Sequence, residues 1–549
     1  MKEFTPMLFS TLKEYNLKKF LNDVLAGVIV AIIALPLSIA LALASGVGPE
    51  QGIYTAIIAG FLISFFGGSK VQIAGPTAAF ATIVAGIVAQ KGMDGLIIAT
   101  VLAGIILIVM GLCKFGTLIK FIPYTITTGF TAGIAVTILI GQFKDFFGIT
   151  YMNGEAPIET VEKLEAFFAN LGTLNLDALI VGAVCLLILF LFPKITEKIP
   201  ASLIAVFAGI LMVKFLPLKV NTIGDLYEIS NKLPSVSVPA FSFATVRELF
   251  PDAVTIAVLA AIESLLSCVV ADSMVNSRHR SNMELVAQGI GNIGSALFGG
   301  IPATGAIART AANVKNGGRT PVAGIVHALV LVLVLVVLMP YASWIPMPTI
   351  AAILISVAYN MCQWKPFVRL VKKAPKSDII VLVITFLLTV LFDLVVAIEF
   401  GLIIAAALFI KRMSEEMNVQ NWKYVEDQDD PDSINLRKVD KAIRVYELNG
   451  PLFFAVTDQL ANITVKRFTK CLILRMRSVP SLDATALNTL EHIWEECNKN
   501  GITVVFSHVN PQPMKAMQKA GFVEKIGEEN FCASIDLSLE RANEIIGNK

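Results

Sequence analysis

The chain has 549 residues, 55% of them hydrophobic and only 16% charged, with a mean hydropathy of +0.73; an ordinary soluble chain carries roughly 25% charged residues, so a water-soluble globule is excluded for most of its length. A formal net charge of +2 carries no signal for nucleic acid, and none is expected as a partner. The seven cysteines fall in apolar runs (Cys185, Cys268) or in the C-terminal part (Cys471, Cys497, Cys532) with no CxxC or metal-like spacing, and read as reduced packing residues.

The chain opens on a polar, mildly basic stretch with Lys13, Lys18 and Lys19 and no cleavable leader pattern, so the first apolar run, residues 24–44, is expected to be a membrane helix. Apolar runs recur to about residue 412, among them 96–112, 178–192, 253–270, 322–339 and 379–391, suited to a bilayer that takes about 20 residues per helix. Hydropathy gives about fourteen spans. With both termini cytosolic, the inner loops carry Lys114 and Lys120, Lys194 and Lys198, Arg278 and Arg280, Lys315 and Arg319, and then Lys365, Arg369, Lys372, Lys373 and Lys376. An outer loop carries Glu155, Glu159, Glu162 and Glu165. Basic residues gather on the inner side when the span count is even.

Within this series one pattern occurs twice. Asp23 opens a span, a second span follows, and it closes on Phe66-Gly67-Gly68 and then Ile73-Ala74-Gly75-Pro76-Thr77. Asp252 opens the second copy, which closes on Phe298-Gly299-Gly300 and Ile301-Pro302-Ala303-Thr304-Gly305. The aspartate-to-glycine spacing is 44 residues in one copy and 47 in the other. Seven spans separate the copies, an odd number, so the second is inverted. Inverted repeats with matching broken helices point to a transporter site near the bilayer midplane.

After each break a short helix is expected to start, near Thr77 in the first copy and near Thr304 or Gly305 in the second, with Ala78 and Ala306 among the expected anion contacts. Non-helical backbone at this depth must be buried in protein or line a wet cavity. Two opposed helix N-termini, flanked by Gly75, present free N–H groups to a small anion, and Thr77 and Thr304 can add hydroxyls. Arg309 supplies a full positive charge, with a snorkelling interfacial arginine as its structural alternative. Lys315 and Arg319 read as inner-face charges.

Glu263 lies eleven residues after Asp252, about 16 Å along a helix and near the midplane. A charge there is costly and marks an ion or proton pathway; a neutral, structural carboxyl is the alternative. Ser267 is one turn on, on the same face. At the equivalent depth of the first copy stands Pro36-Leu37-Ser38, a helix break. His327 reads as a satisfied packing histidine, and Asp393 and Glu399 as interfacial residues flanking the last hairpin.

From residue 413 the composition turns polar. Residues 413–439, with an acidic run at 426–432, read as a linker, and 440–549 as a small α/β domain with strands at 443–448, 471–476 and 502–506 and helices at 482–498 and 513–520. No phosphate loop, dinucleotide fingerprint or nucleophile–base pair is present, so no enzymatic activity and no cofactor are expected.

The run Glu263-Ser264-Leu265-Leu266, with Ala271-Asp272, Arg278-His279, Asn282, Glu284-Leu285-Val286 and Gln288-Gly289, resembles the sulfate permease (SulP) family. So do the stretch from Gly299 through Arg309-Thr310 and the following Gly317-Gly318-Arg319-Thr320-Pro321. In the tail, Val479-Pro480-Ser481-Leu482-Asp483-Ala484-Thr485-Ala486-Leu487 resembles the STAS domain shared with anti-sigma-factor antagonists. The resemblance implies an α-helical polytopic membrane protein with a seven-plus-seven inverted repeat. Residues 1–412 would form a core (spans 1–4 and 8–11) and a gate (spans 5–7 and 12–14), followed by a cytosolic STAS domain. It further implies a homodimer in the cell membrane that moves sulfate, bicarbonate or a dicarboxylate with its core in an elevator motion. Glu263 and Ser267 match positions that bind sodium or handle a proton in some members, and Arg309 matches the anion-site arginine of others. Leu37 departs from the Gln that many relatives carry there. Thr485 occupies the hydroxyl position phosphorylated in the antagonists, with a helix N-cap as its structural alternative. A coupled symporter is the leading expectation; an uncoupled exchanger and a membrane-anchored sensor are the alternatives.

Overall fold

The computed structural model describes all residues except 1–3, 118–122, 152–156, 158, 197–199, 393, 416–417, 422–438, 461–462, 464–467 and 548–549, and a few side chains in addition. The chain divides into two compact units, Met1–Leu402 and Ile403–Lys549.

The first unit is helical. Its long elements are α1 (Leu17–Ala44), α2 (Pro49–Phe66), α3 (Ala81–Leu112), α4 (Tyr124–Gly141), α5 (Leu176–Ile195), α6 (Ala201–Phe215), α7 (Phe243–Val275), α8 (Ser281–Leu297), α9 (Ile307–Lys315), α10 (Val322–Leu338), α11 (Met347–Cys362), α12 (Trp364–Lys373), α13 (Lys376–Leu391) and α14 (Leu394–Glu415). Among the described residues, seven helices are long and apolar enough to cross a membrane. One of these, α3, is two helices in one: Gly92 adopts φ +68° in its middle and turns the chain, a conformation that costs glycine nothing. Other expected spans are shorter helices, α6 among them.

Two corrections concern helix starts. Asp23 and Asp252 do not open their helices. The first begins at Leu17, where the Asn16 side chain caps the Lys19 N–H, and the second at Phe243 behind a Ser242 cap, with Pro251 inside it. Asp23 has a different task. Fully buried, it accepts from Tyr15 Oη at 3.0 Å, from the Arg319 N–H at 2.8 Å and from the Thr320 hydroxyl, tying α1 to the α9–α10 loop.

The helices pack in two groups: α1, α2, α3, α7, α8, α9 and α10 in one, α4, α5, α11 and α13 in the other, with α6 beside α5 and α11, and α1 touching α6 and α11. The buried faces are built from Ala, Gly, Ile and Leu, which let helix axes approach closely without a polar cost.

The second unit is an α/β domain around a five-stranded sheet of order β3-β4-β5-β6-β7: β3 (Asn418–Asn421), β4 (Ile443–Asn449), β5 (Cys471–Ser478), β6 (Thr503–Ser507) and β7 (Phe531–Cys532). β4 to β7 run parallel and β3 pairs antiparallel with β4, Val419 opposite Leu448. That edge strand lies inside the stretch expected to be linker; the acidic run 426–432 lies outside the described residues. Alternate residues of β5 feed two cores, as the period of a strand requires. Leu472, Leu474 and Met476 pack with Leu490 of α15 (Ala484–Lys499), and Cys471 and Ile473 with Leu539 of α17 (Ile535–Gly547); α16 (Pro511–Lys519) precedes the latter. The cap of α15 is Asp483, whose carboxylate accepts from the Ala486 N–H at 2.8 Å. Thr485 is therefore not the cap; it is an exposed residue of the first turn.

Candidate functional site

Leaving α2 at Gly67, the chain runs extended through β1 (Ala74–Gly75), which pairs antiparallel with β2 (Thr304–Gly305), Ala74 opposite Gly305 and Gly75 opposite Thr304. The Ala306 N–H adds a bond to the Ile73 carbonyl at 2.9 Å. This short ladder satisfies backbone groups that neither lipid nor helix could satisfy at this depth. After Thr77, itself extended, a 3₁₀ turn over Ala78–Phe80 leads into α3. In the second copy the helix starts later than expected, at Ile307 behind an Ala306 cap. Thr304 and Gly305 are strand residues because the ladder holds them extended, and Arg309 falls in the first turn of α9.

Arg309 does not snorkel: it is 1% exposed. Its Nη2 donates to the Pro76 carbonyl at 3.1 Å and to Ser38 Oγ on α1 at 3.3 Å, while Nε and Nη1 have no partner among the described residues. The guanidinium thus joins α9, the end of β1 and the Pro36 region of α1. The two ladder glycines explain their own identity. A Cβ on Gly75 would stand 2.1 Å from Arg309 Nη1, and one on Gly305 would stand 1.3 Å from Gln72 Nε2. Each strand of the ladder is covered by a polar side chain from the opposite repeat.

Both repeats are also fastened to adjacent residues of α7. Glu263 accepts a hydrogen bond from the Thr77 hydroxyl at 2.8 Å. Ser264 Oγ lies 2.7 Å from Thr304 Oγ1 and accepts from the Gly305 N–H at 3.1 Å, and the Ser264 carbonyl accepts from Gln72 Nε2 at 3.3 Å. Thr304 is fully buried, whereas Thr77 and Glu263 are only partly so. One turn beyond Glu263, the hydroxyl of Ser267 is buried without a partner among the described residues.

Chemically, the arrangement offers three things. N–H groups at the starts of α3 and α9 together with Arg309 suit an oxyanion. The Glu263 carboxylate with the free Ser267 hydroxyl suits a hard cation or a proton. The Thr77 hydroxyl links the start of the first copy's helix to that carboxylate.

The structure thus brings together Gly75, Thr77, Ala78, Thr304, Gly305, Ala306 and Arg309 at the crossing, with Glu263 and Ser267 on the helix beside it. Sequence reasoning missed Gln72 and Ser264. A glutamine two residues before a break and a serine beside a buried acid were the available signals. It also misjudged His327, which is fully buried on α10, with Gly60 of α2 nearby, yet has no partner on either ring nitrogen among the described residues. Glu284, fully buried, accepts from the Gly68 and Ser69 N–H groups and from Gln288, and so holds the chain where it leaves α2. Asp393 and the side chain of Glu399 lie outside the described residues.

The family model described as "Sulfate permease family" matches residues 20–385, and that of the STAS domain matches residues 433–542. The chain is 41% identical over 531 residues to "Putative sulfate transporter YvdB" of Bacillus subtilis, covering 94% of this chain and 97% of that one. It is 31% identical over 540 residues to "Bicarbonate transporter BicA" of a Picosynechococcus species, covering 95% and 94%. The solved transmembrane domain of a cyanobacterium bicarbonate transporter BicA superposes with a TM-score of 0.62 at 29% identity, over 71% of this chain and 98% of that one. Murine Slc26a9 in the inward-facing state superposes at 0.87 with 20% identity, over 98% and 94%, a likeness of fold.

Proposed function

The chain belongs to the sulfate permease family of multi-pass membrane anion transporters, and from that premise we propose that it is a cation-coupled symporter for a small oxyanion, sulfate foremost. Sulfate is put first because a relative 41% identical over 531 residues bears that name; bicarbonate, named in other relatives, and C4-dicarboxylates complete the candidate class. The carrier works as a homodimer in the cell membrane with both termini cytosolic, its core helices moving against the gate helices.

The observation that carries the coupling is the Thr77–Glu263 hydrogen bond. The Thr77 hydroxyl, at the start of the first copy's helix, is held by the acid of the coupling site. When a cation or proton takes over that carboxylate, the Thr77 hydroxyl is freed to donate to an anion at the N-terminus of α3, so the first ligand favours the second. Ser267 favours a sodium-like ion over a proton, because a buried hydroxyl without a partner is the oxygen such an ion needs. Thr485, exposed at the first turn of α15, is the position at which phosphorylation would act on the STAS domain.

The test is radiolabelled uptake into proteoliposomes with sulfate, bicarbonate and C4-dicarboxylates under imposed sodium or proton gradients. Glu263→Gln keeps the shape and removes the charge; it is expected to abolish accumulation while sparing anion exchange. A Glu263→Gln protein that still concentrates substrate with the native ion dependence would end the coupling proposal, and native uptake driven by a proton gradient without sodium would replace sodium by the proton.

A further inference from the structure

We propose that α12 is an interfacial helix that binds the headgroups of anionic phospholipids, and that it fastens the gate side of the molecule to the inner leaflet. This does not depend on which anion is carried or on what drives it.

The helix is ten residues long, about 15 Å at 1.5 Å per residue, half of what a span needs. It is set off sharply from α11 by Gln363, which adopts the left-handed conformation at φ +44°, and from α13 by Ala374-Pro375. At 100° per residue, Trp364, Phe367, Val368, Leu370 and Val371 share one side, while Lys365, Arg369, Lys372 and Lys373 share the other. The apolar side does two jobs. Its Phe367 edge is turned into the protein, where the ring meets Phe386 of α13 edge-on with centroids 5.4 Å apart. Its other edge, Trp364, Val368 and Val371, is exposed. A helix between two apolar helices that exposes an apolar stripe flanked by lysines suits the plane of the interface.

The charge pattern names the occupant. Lys365, Arg369, Lys372, Lys373 and Lys376 are all exposed, no acidic residue occurs between residues 362 and 377, and among the described residues none of the five makes an ion pair; the nearest acid, Asp378, is at the start of α13. A cationic surface of this density next to a membrane collects anionic lipid, and the indole of Trp364 sits at the boundary where tryptophan is favoured.

The full chain is reconstituted in phosphatidylcholine bilayers containing either brominated phosphatidylglycerol or brominated phosphatidylcholine at equal fraction, and Trp364 emission is isolated by difference from Trp364→Phe. Both lipids are expected to quench Trp364, phosphatidylglycerol at least about threefold more efficiently. The excess should vanish in the exposed-site variant K365Q/R369Q/K372Q/K373Q and, for the native chain, at about 1 M salt. The salt arm decides alone if the variant does not fold. Absence of quenching by either lipid, meaning that protein covers this face, or equal quenching of the native chain by both, overturns the proposal.

Discussion

The two halves of the crossing begin alike and end differently. In each, a span closes on Phe-Gly-Gly, the chain breaks, two residues form a strand and a short helix follows. The first half places its cover, Gln72, two residues ahead of its strand, over Gly305 of the other half; the second places its cover, Arg309, four residues past its strand, over Gly75. The neutral cover is bonded to the Ser264 carbonyl and by Cys268, whereas the cationic one keeps two nitrogens without a partner among the described residues. The repeat has kept the backbone geometry, which both halves need to make the ladder, and has let the polar side chains diverge. The backbone is two-fold related and the charge one-sided; a second buried arginine would add a further uncompensated charge at this depth.

The sharpest way to break this comparison is to put a methyl group on each ladder glycine. Gly305→Ala overlaps the amide, carbonyl carbon and Cγ of Gln72, so the whole side chain must leave; uptake or anion affinity should fall about a hundredfold, the effect of some 3 kcal/mol of overpacking. Gly75→Ala meets only the end of a long side chain and should cost about tenfold. Adding Gln72→Ala should partly restore Gly305→Ala and do nothing for Gly75→Ala. Equal losses in the two single variants, measured as anion Kd by calorimetry on monodisperse protein, would show that the covers are not what makes the halves unequal.

Arg309→Ala tests the charge itself. A charge-assisted contact contributes about 1.5–3 kcal/mol, so affinity should drop roughly ten- to hundredfold without loss of folding, because the ladder and both helix starts remain. Unchanged affinity would move the anion away from α9.

The smallest effect is expected from removing the second unit. A chain stopped after Glu415, ahead of β3, should bind anion within about twofold of the native Kd, since every residue of the crossing precedes residue 403 and distant sites act independently. A cut near Lys441 is the wrong one, because it strips β3 of the strand it pairs with. Lost binding in a well-folded truncation would bring the second unit into the site.

The amino-acid pattern was enough for the membrane part, the repeated Phe-Gly-Gly motif with its two breaks, and the candidacy of Glu263 and Arg309. Each of these is a local pattern: an apolar run, a Gly-Pro interruption, a charge where charges are expensive. It also located the main strands of the second unit, whose two-residue period is equally local. Tertiary structure alone decided how the polar groups are shared. Thr77 bonds a residue 186 positions away, Arg309 one 271 positions away, and Ser264 takes the Thr304 hydroxyl that seemed available to an anion. The late start of α9 follows from a ladder between segments some 230 residues apart, and β3 is a strand only because β4 offers it an edge. Periodicity fixes which side of a helix is buried; the partner a buried hydrogen bond finds depends on which distant segments the fold brings within about 3 Å, and no local pattern carries that.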